Sequence, residues 1–221
     1  MRKIDKSLIL ATQYKAWLDT LKTKNKKHTI YSSSNGKYYY DIVANLIWVQ
    51  SGICAYTEKL LHDHSGFAPE YWVLGAFPKT PKYAFCGELD HYDPSLKDQF
   101  GWDWANFFIV DADVNKKVKR SNMPMGLLKP DLPQYNPKIY LEYDRENHLF
   151  IPNKLLKNAI QDQVRKDLEF LGVNFPPIIY SRKKYLEPLL FDVEYQLESR
   201  VIVESKLYQF FTAFDMVADT L

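Results

Sequence analysis

An Asp-His pair and two asparagines follow one another within one short stretch of the chain. The pair is Asp90 and His91, and the asparagines come later, at Asn106 and Asn115. An imidazole can accept a proton from water near neutral pH, and carboxylate and amide oxygens suit a hard divalent cation. These residue types are the ones that metal-assisted hydrolysis of a phosphodiester requires, with Mg²⁺ or Mn²⁺ as the cofactor.

A cluster of cations directly follows the second asparagine. Its members are Lys116, Lys117, Lys119 and Arg120. Such a cluster can bind the phosphates of a nucleic acid. In most proteins the same pattern is a solvated face of a helix, and both interpretations stay open here.

Asp90 and His91 can belong to one site only if the strand that carries them is interrupted. Neighbouring side chains on a regular strand point to opposite faces of the sheet. Asp90 and His91 therefore need a strand that ends or bends after the histidine. The following Asp93 and Pro94 favour such a bend.

This stretch resembles the HNH, or His-Me finger, nucleases. The resemblance rests on the Asp-His pair, on the nine-residue step from Asn106 to Asn115 and on the apolar run FFIV between them. It implies a ββα-metal finger in which Asp90 and Asn115 bind the metal and His91 is the general base. It also implies that Asn106 braces the loop that orients the histidine. The activity that it implies is metal-dependent cleavage of DNA.

Many HNH nucleases also carry a zinc knuckle, made of two Cys-x-x-Cys pairs around the finger. The corresponding positions in this chain are Cys54, Thr57, Asp111 and Val114. Only one of the four is a cysteine, so structural zinc is not expected. Packing must then hold the finger together.

The layout of the whole chain resembles, more weakly, the HNH partner proteins of Septu-type and retron-linked antiphage systems. The similarity lies in helices that precede the segment CAYT at 54–57, and in a late helix that leads into LGVN at 171–174. It implies an ATPase of the SMC-like class as a partner protein. No residue of the sequence indicates that partner independently.

Length and composition predict one substantial folded unit. The chain has 221 residues, of which 46% are hydrophobic and 15% aromatic, enough for a packed core. We expect an α+β protein, mainly helical, with an embedded ββα finger. The N-terminal helices are expected in 1–52, the finger in 53–122, and a hairpin with further helices in 123–221, all as parts of one compact domain.

Periodicity and turn signals predict the individual elements. Helices are expected at 5–21, 38–50, 115–120, 156–171 and 198–221, strands at 83–91 and 107–110, and a hairpin at 139–152. Asp111 or Asp113 is expected to cap the helix after the second strand, and Asn153 the helix that ends at Gly172. The two prolines at 176 and 177 are expected to interrupt regular structure.

Charge and hydropathy exclude some classes of function. The net charge is only +2, too small for a protein that coats nucleic acid through general basicity. No apolar run is long enough for a membrane span, and no export signal is recognisable. With only two cysteines, Cys54 and Cys86, the simplest location is the reducing cytoplasm.

Several alternatives to a DNA nuclease stay open. The first is an HNH scaffold without activity that binds DNA or the ATPase. The second is a metal-free helical interaction protein in which the motif is a chance match. The third is cleavage of RNA. Among single residues, Glu88 is either a second carboxylate near the metal or an ordinary strand-edge residue, and Asp111 and Asp113 are either ligands or helix caps.

Overall fold

Two helices form the N-terminal part of the structure, a computed structural model that describes residues 1–29, 35–78 and 86–221. Helix α1 spans Thr12–Thr23 and buries Tyr14 and Leu18. Helix α2 spans Tyr39–Val49, preceded by a 3₁₀ turn at Asn35–Tyr38, and most of its residues are buried. The helix expected at 38–50 is thus confirmed.

The first helix is shorter than its apolar pattern predicts. The expected helix began at residue 5, but α1 begins at Thr12. The reason is Asn45 on α2, whose side-chain oxygen accepts hydrogen bonds from the backbone N–H groups of Leu10 and Ala11, at 2.8 and 3.2 Å. These bonds hold the chain before α1 in a non-helical conformation.

Two short antiparallel strands lie at the centre of the fold. Strand β1 spans Glu88–His91 and β2 spans Phe107–Val110, with Asp90 opposite Phe108 and His91 opposite Phe107. The predicted span of the second strand is confirmed. The first strand was expected from residue 83, but residues 83–85 lie outside the described part of the chain.

The connection between the strands is a series of short turns. A 3₁₀ turn at Pro94–Leu96 leads into α3, a single helical turn at Lys97–Phe100, and a second 3₁₀ turn at Trp104–Asn106 leads into β2. Lys6 fixes the second turn from outside, because its ammonium donates to the carbonyls of Trp104 and Phe107 at 2.6 and 2.8 Å.

A helical segment with π-type hydrogen bonding follows β2 at Val114–Lys119. The carboxylate of Asp111 accepts the N–H groups of Asp113 and Val114, at 3.0 and 3.1 Å, so Asp111 is the residue that caps this segment. The order of strand, strand and helix over residues 88–119 agrees with the predicted element order.

The C-terminal part combines a hairpin with five helices. Its two strands pair as a hairpin within the range expected for one. The elements are α4 (Pro137–Tyr140), β3 (Leu141–Asp144), β4 (Leu149–Pro152), α5 (Asn158–Phe170), α6 (Pro176–Glu194), α7 (Arg200–Ser205) and α8 (Phe211–Ala218). Helices predominate in the described chain, which confirms a mixed fold of helices and short strands.

Gly172 ends α5 in a conformation that requires glycine. Its φ angle is +64°, and a Cβ atom there would lie 2.9 Å from the Val114 side chain. The absence of a side chain therefore lets the end of α5 approach the π-helical segment closely.

The sheet lies between two hydrophobic clusters. On one face, Phe107 and Ile109 join α1 and α2 in an N-terminal cluster. On the other face, Phe108 and Val110 join the C-terminal helices in a C-terminal cluster. All four residues of β2 are buried, since the strand is covered on both sides.

The segment at 54–58 is tied to the last helix by buried polar contacts. Glu58 is almost fully buried, and its carboxylate pairs with the terminal ammonium of Met1 at 2.9 Å. The same carboxylate accepts the backbone N–H of Thr212 at 2.9 Å and its hydroxyl.

None of the helices in the described residues has the length and apolar character to span a bilayer.

Candidate functional site

His91 ends β1 with its ring in a defined orientation. Its Nε2 lies 2.7 Å from the carbonyl oxygen of Gly101, and a carbonyl only accepts, so Nε2 carries the proton. The other nitrogen, Nδ1, is then the basic one. The ring packs edge-on against Phe107, and 6% of the residue is exposed. Burial lowers the pKa of the imidazole below its usual value, which keeps it neutral near pH 7.

Asn106 holds the loop that follows His91. Its side-chain oxygen accepts the backbone N–H of Asp93 at 2.7 Å, and its Nδ2 donates to the carbonyl of the same residue at 2.8 Å. The backbone carbonyl of Asn106 also accepts the N–H of Tyr92 at 2.9 Å. These bonds fix the chain just beyond the histidine, which is the bracing geometry that the resemblance implies for Asn106.

Asp90 is buried against the C-terminal cluster. Its Oδ2 accepts a hydrogen bond from the hydroxyl of Tyr56 at 2.6 Å, and the residue is 3% exposed. Burial raises the pKa of the carboxyl above its usual value, while the ammonium of Lys119 opposes that rise. The second carboxylate oxygen, Oδ1, is not used in the bond to Tyr56.

The structure leaves Asp90 and His91 on opposite faces of β1. Residues paired across an antiparallel sheet share a face. Asp90 is paired with Phe108 of the C-terminal cluster, and His91 with Phe107 of the N-terminal cluster. The strand thus keeps its regular alternation up to the histidine, and the bend follows at Tyr92 and Asp93.

The side chain of Asn115 contacts the carboxylate of Glu88. Its Nδ2 donates to Oε2 of Glu88 at 3.1 Å, and Glu88 also pairs with Lys116. Alternation along β1 puts Glu88 on the same face as Asp90, so the π-helical segment lies along that face. Glu88 is thus a carboxylate that Asn115 contacts directly. From the sequence it was expected to be either a second carboxylate near the metal or an ordinary strand-edge residue.

The four cations after Asn115 do not share one environment. Lys116, Lys117 and Arg120 are exposed. Lys119 is fully buried, and its ammonium donates to the carbonyl of Asn122 at 2.8 Å and approaches that of His91 at 3.5 Å. The expected phosphate contact of Lys119 does not agree with this burial, since the ammonium is used to hold backbone carbonyls.

A cleft of about 660 Å³ opens beside His91. Its walls include Glu88, Lys97 and two tyrosines, Tyr39 and Tyr40. Lys97 influences both His91 and Asp90 electrostatically, which puts a cation close to the pair. Sequence reasoning missed Lys97, because it lies in a polar loop and belongs to no recognisable motif.

The positions of the missing zinc knuckle lie together. The sulfur of Cys54 accepts the backbone N–H of Asp111 at 3.3 Å, and the carboxylate of Asp111 pairs with Lys59 at 2.7 Å. Val114 packs in the same cluster as Cys54. One thiol, a paired carboxylate and an alkyl side chain do not fit a tetrahedral zinc site. Hydrogen bonds, an ion pair and apolar packing hold these positions.

The donor set fits a hard cation better than a soft one. Across residues 1–29, 35–78 and 86–221, no group of three or more His, Cys, Asp or Glu side chains is arranged to hold a metal ion. Mg²⁺ commonly uses one or two carboxylates, with water and substrate phosphate as its remaining ligands. Asp90, Glu88 and Asn115 supply oxygen donors of that kind on one face of β1.

No protein-family model matches the chain, and no curated protein matches its sequence.

Proposed function

We propose that the protein is a metal-dependent nuclease that hydrolyses DNA phosphodiester bonds at the end of β1. The observation that carries the proposal is the hydrogen bond from His91 Nε2 to the Gly101 carbonyl. It leaves Nδ1 unprotonated, and His91 lines a cleft whose walls also include a carboxylate and an ammonium. A general base requires this combination of tautomer, neutrality and access.

In the proposed reaction His91 Nδ1 removes a proton from water as the water oxygen attacks phosphorus. The bond from phosphorus to the leaving 3′ oxygen breaks, and that oxygen takes up a proton from solvent. Asp90 and Asn115 would hold Mg²⁺ or Mn²⁺, which would supply positive charge to stabilise the leaving oxygen. Asn106 keeps the His91 loop rigid, so little reorganisation precedes the attack.

Two contacts would orient the metal ligands. Tyr56 donates to one oxygen of Asp90, which leaves the other oxygen as a donor. Glu88 accepts from the Asn115 Nδ2, which leaves the amide oxygen as a donor. Partners of this kind fix metal-binding side chains in many proteins. Within the described chain β1 pairs with β2 alone, and a cation at its other edge is reachable from both faces.

The exposed cations Lys116, Lys117 and Arg120, with Lys97 in the cleft, would bind phosphates of the substrate.

An ATPase partner and a role in antiphage defence rest on the resemblance alone. A net charge of +2 gives the free protein little general affinity for DNA. We therefore expect slow cleavage by the isolated protein and faster cleavage with a partner.

The test is cleavage of labelled DNA by the wild type and by His91→Ala, with Mg²⁺, with Mn²⁺ and with EDTA. Cleavage that needs the metal and falls at least a hundredfold in His91→Ala, the lower end of what a general base contributes, supports the proposal. Equal cleavage by both proteins removes His91 from the mechanism. RNA of the same sequence is included as a second substrate, because the cleft chemistry is common to both.

An inactive scaffold that binds DNA or the ATPase is the second candidate. It is favoured by the separation of Asp90 and His91 onto opposite faces of β1 and by the bond that Tyr56 makes to Asp90. This candidate predicts DNA binding without cleavage under every metal condition. It also predicts that Asp90→Asn leaves binding unchanged.

A further inference from the structure

The peptide that orients His91 is itself held by a second histidine. His91 Nε2 donates to the carbonyl of Gly101 at 2.7 Å. The N–H of the same peptide unit belongs to Trp102, and it donates to Nδ1 of His28 at 3.1 Å. A trans peptide directs its carbonyl and its N–H to opposite sides. A continuous chain of hydrogen bonds therefore runs from His91 through the peptide to His28.

His28 is anchored in a way that fixes its ring. The residue is 2% exposed, and its own backbone N–H donates to the carbonyl of Gln99 at 3.0 Å. The imidazole also contacts the rings of Trp17 and Phe100, with centroids 6.4 and 5.6 Å away. This aromatic packing restricts rotation of the imidazole.

The protonation state of His28 follows from its bond to the peptide. Because Nδ1 accepts the Trp102 N–H, the proton of the neutral ring must be on Nε2. That nitrogen is buried and has no hydrogen-bond partner within the described part of the chain. The orientation of the ring is therefore set by the bond that Nδ1 accepts from the Trp102 N–H.

The peptide cannot easily turn away from either histidine. The indole N–H of Trp102 donates to the carbonyl of Thr29 at 3.0 Å, and the carbonyl of Trp102 accepts the hydroxyl of Tyr14 at 2.5 Å. Three groups from the N-terminal part of the chain thus hold one residue of the β1–β2 connection. The plane of the peptide between Gly101 and Trp102 is therefore fixed before a substrate binds.

We propose that His28 is a positioning residue for His91. By accepting the Trp102 N–H it polarises the peptide, which makes the Gly101 carbonyl a stronger acceptor for His91 Nε2–H. The proton of His91 is then kept on Nε2, and Nδ1 stays available as the base. The catalytic consequence rests on the proposed nuclease function, but the hydrogen-bond chain and its effect on the His91 tautomer do not.

The first test uses nuclear magnetic resonance of the wild-type protein with ¹⁵N-labelled histidine. The proposal expects both His28 and His91 to carry the proton on Nε2, with Nδ1 unprotonated in each. The Nε2–H of His91 should also exchange slowly with solvent. A proton on Nδ1 of His28 would overturn the proposal, since that nitrogen could then not accept the peptide N–H. This measurement needs no substitution that might affect folding.

The second test compares His28→Leu with His28→Asn. Asn keeps an acceptor atom at nearly the position of Nδ1, whereas Leu fills the space without an acceptor. We expect faster exchange of the His91 Nε2–H in His28→Leu, together with a ten- to hundredfold loss of cleavage, about the effect of removing a partner that orients a functional histidine. His28→Asn should restore slow exchange and most of the cleavage.

The outcomes separate this inference from the nuclease function. Unchanged exchange and an unchanged His91 tautomer in a folded His28→Leu protein would overturn the positioning role. A shifted tautomer in a protein that cleaves nothing, even as wild type, would keep the positioning role and reject the nuclease. Equally fast exchange of the His91 Nε2–H in His28→Leu and His28→Asn would also contradict the inference, because an acceptor for the Trp102 N–H would then make no difference.

Discussion

Asp90 and His91 are adjacent in sequence, yet their side chains lie on opposite faces of β1. Asp90 accepts a hydrogen bond from Tyr56 on the face of Phe108, whereas His91 packs against Phe107 on the other face. In the proposed reaction, a cation and the attacking water would join the two side chains at the edge of β1 that faces away from β2. The chemistry of the site therefore depends on how the end of β1 is held.

Replacing Tyr56 with Phe tests whether its hydroxyl orients Asp90 as a metal ligand. The change removes the 2.6 Å bond and leaves a buried carboxylate oxygen without its donor. We expect the free energy of unfolding to fall by about 2 kcal/mol. Affinity for Mn²⁺, measured calorimetrically, should fall about tenfold. The exposed Tyr71→Phe is the matched control, and an unchanged Mn²⁺ affinity in Tyr56→Phe would exclude Tyr56 from the site.

Asn106 is expected to matter for both the loop and the reaction. Asn106→Ala removes both bonds to the Asp93 backbone and should lower stability by about 2 kcal/mol. Hydrogen exchange of the Asp93 amide should become faster, and cleavage should fall with it. Asn106→Asp keeps the acceptor for the Asp93 N–H but places a carboxylate against its carbonyl. If exchange at Asp93 is unaffected in both variants, Asn106 does not brace the loop.

The cations after Asn115 should divide into two classes. Substituting Ala at Lys116, Lys117 and Arg120 together should weaken DNA binding and reduce its dependence on salt concentration, because each phosphate contact contributes to that dependence. Lys119→Met should leave the salt dependence as it is and lower stability instead, since its buried ammonium holds the carbonyl of Asn122. Fluorescence anisotropy over a range of salt concentrations separates the two effects. A reduced salt dependence in Lys119→Met would show that this ammonium does reach phosphate.

Lys6 gives the fold a specific dependence on pH. Burial lowers the pKa of its ammonium to about 8, although Asp131 at 3.2 Å partly opposes that shift. In the unfolded chain the ordinary value is near 10.5. Between these two values the unfolded state binds more protons than the folded state, so stability rises with pH. The whole effect amounts to about 3 kcal/mol.

Urea unfolding of the wild type between pH 7.5 and 9.5 measures this effect. We expect Lys6→Met to be less stable at every pH, because it loses the bonds to Trp104 and Phe107. Its stability should also rise less steeply with pH, since the group that releases a proton on folding is gone. Identical slopes in the two proteins would mean that Lys6 does not titrate in this range.

Local patterns predicted several elements of the fold. The helix at 38–50, the strand at 107–110 and the hairpin at 139–152 are confirmed in place. The predicted ends of other elements were wrong where side chains bind the backbone in a different way. Asn45 delays the start of α1, and Asn153 accepts the N–H of Leu155 instead of capping α5.

Two further predictions for the C-terminal half were wrong. The helix expected at 198–221 is divided, because Phe210 adopts a left-handed conformation and donates its N–H to the carbonyl of Glu58. The prolines at 176 and 177 begin α6 rather than interrupting the chain, since the first turn of a helix does not need their missing N–H groups.

Sequence reasoning identified candidate site residues by type and spacing, but not their surroundings. Spacing along the chain marked His91 and Asn106. It carried no signal for Lys97 or His28, which reach the His91 region only through folding of the loop and of the N-terminal segment. It also could not foresee that Lys119 would be buried, because the charge run alone resembles a solvated helix face.

Anomalous diffraction from crystals grown with Mn²⁺ tests the central claim most directly. The proposal predicts one Mn²⁺ bonded to oxygens of Asp90 and Asn115, with a water molecule that also reaches His91 Nδ1. A manganese ion elsewhere in the molecule, or one at this strand edge with no water within reach of that nitrogen, would contradict it.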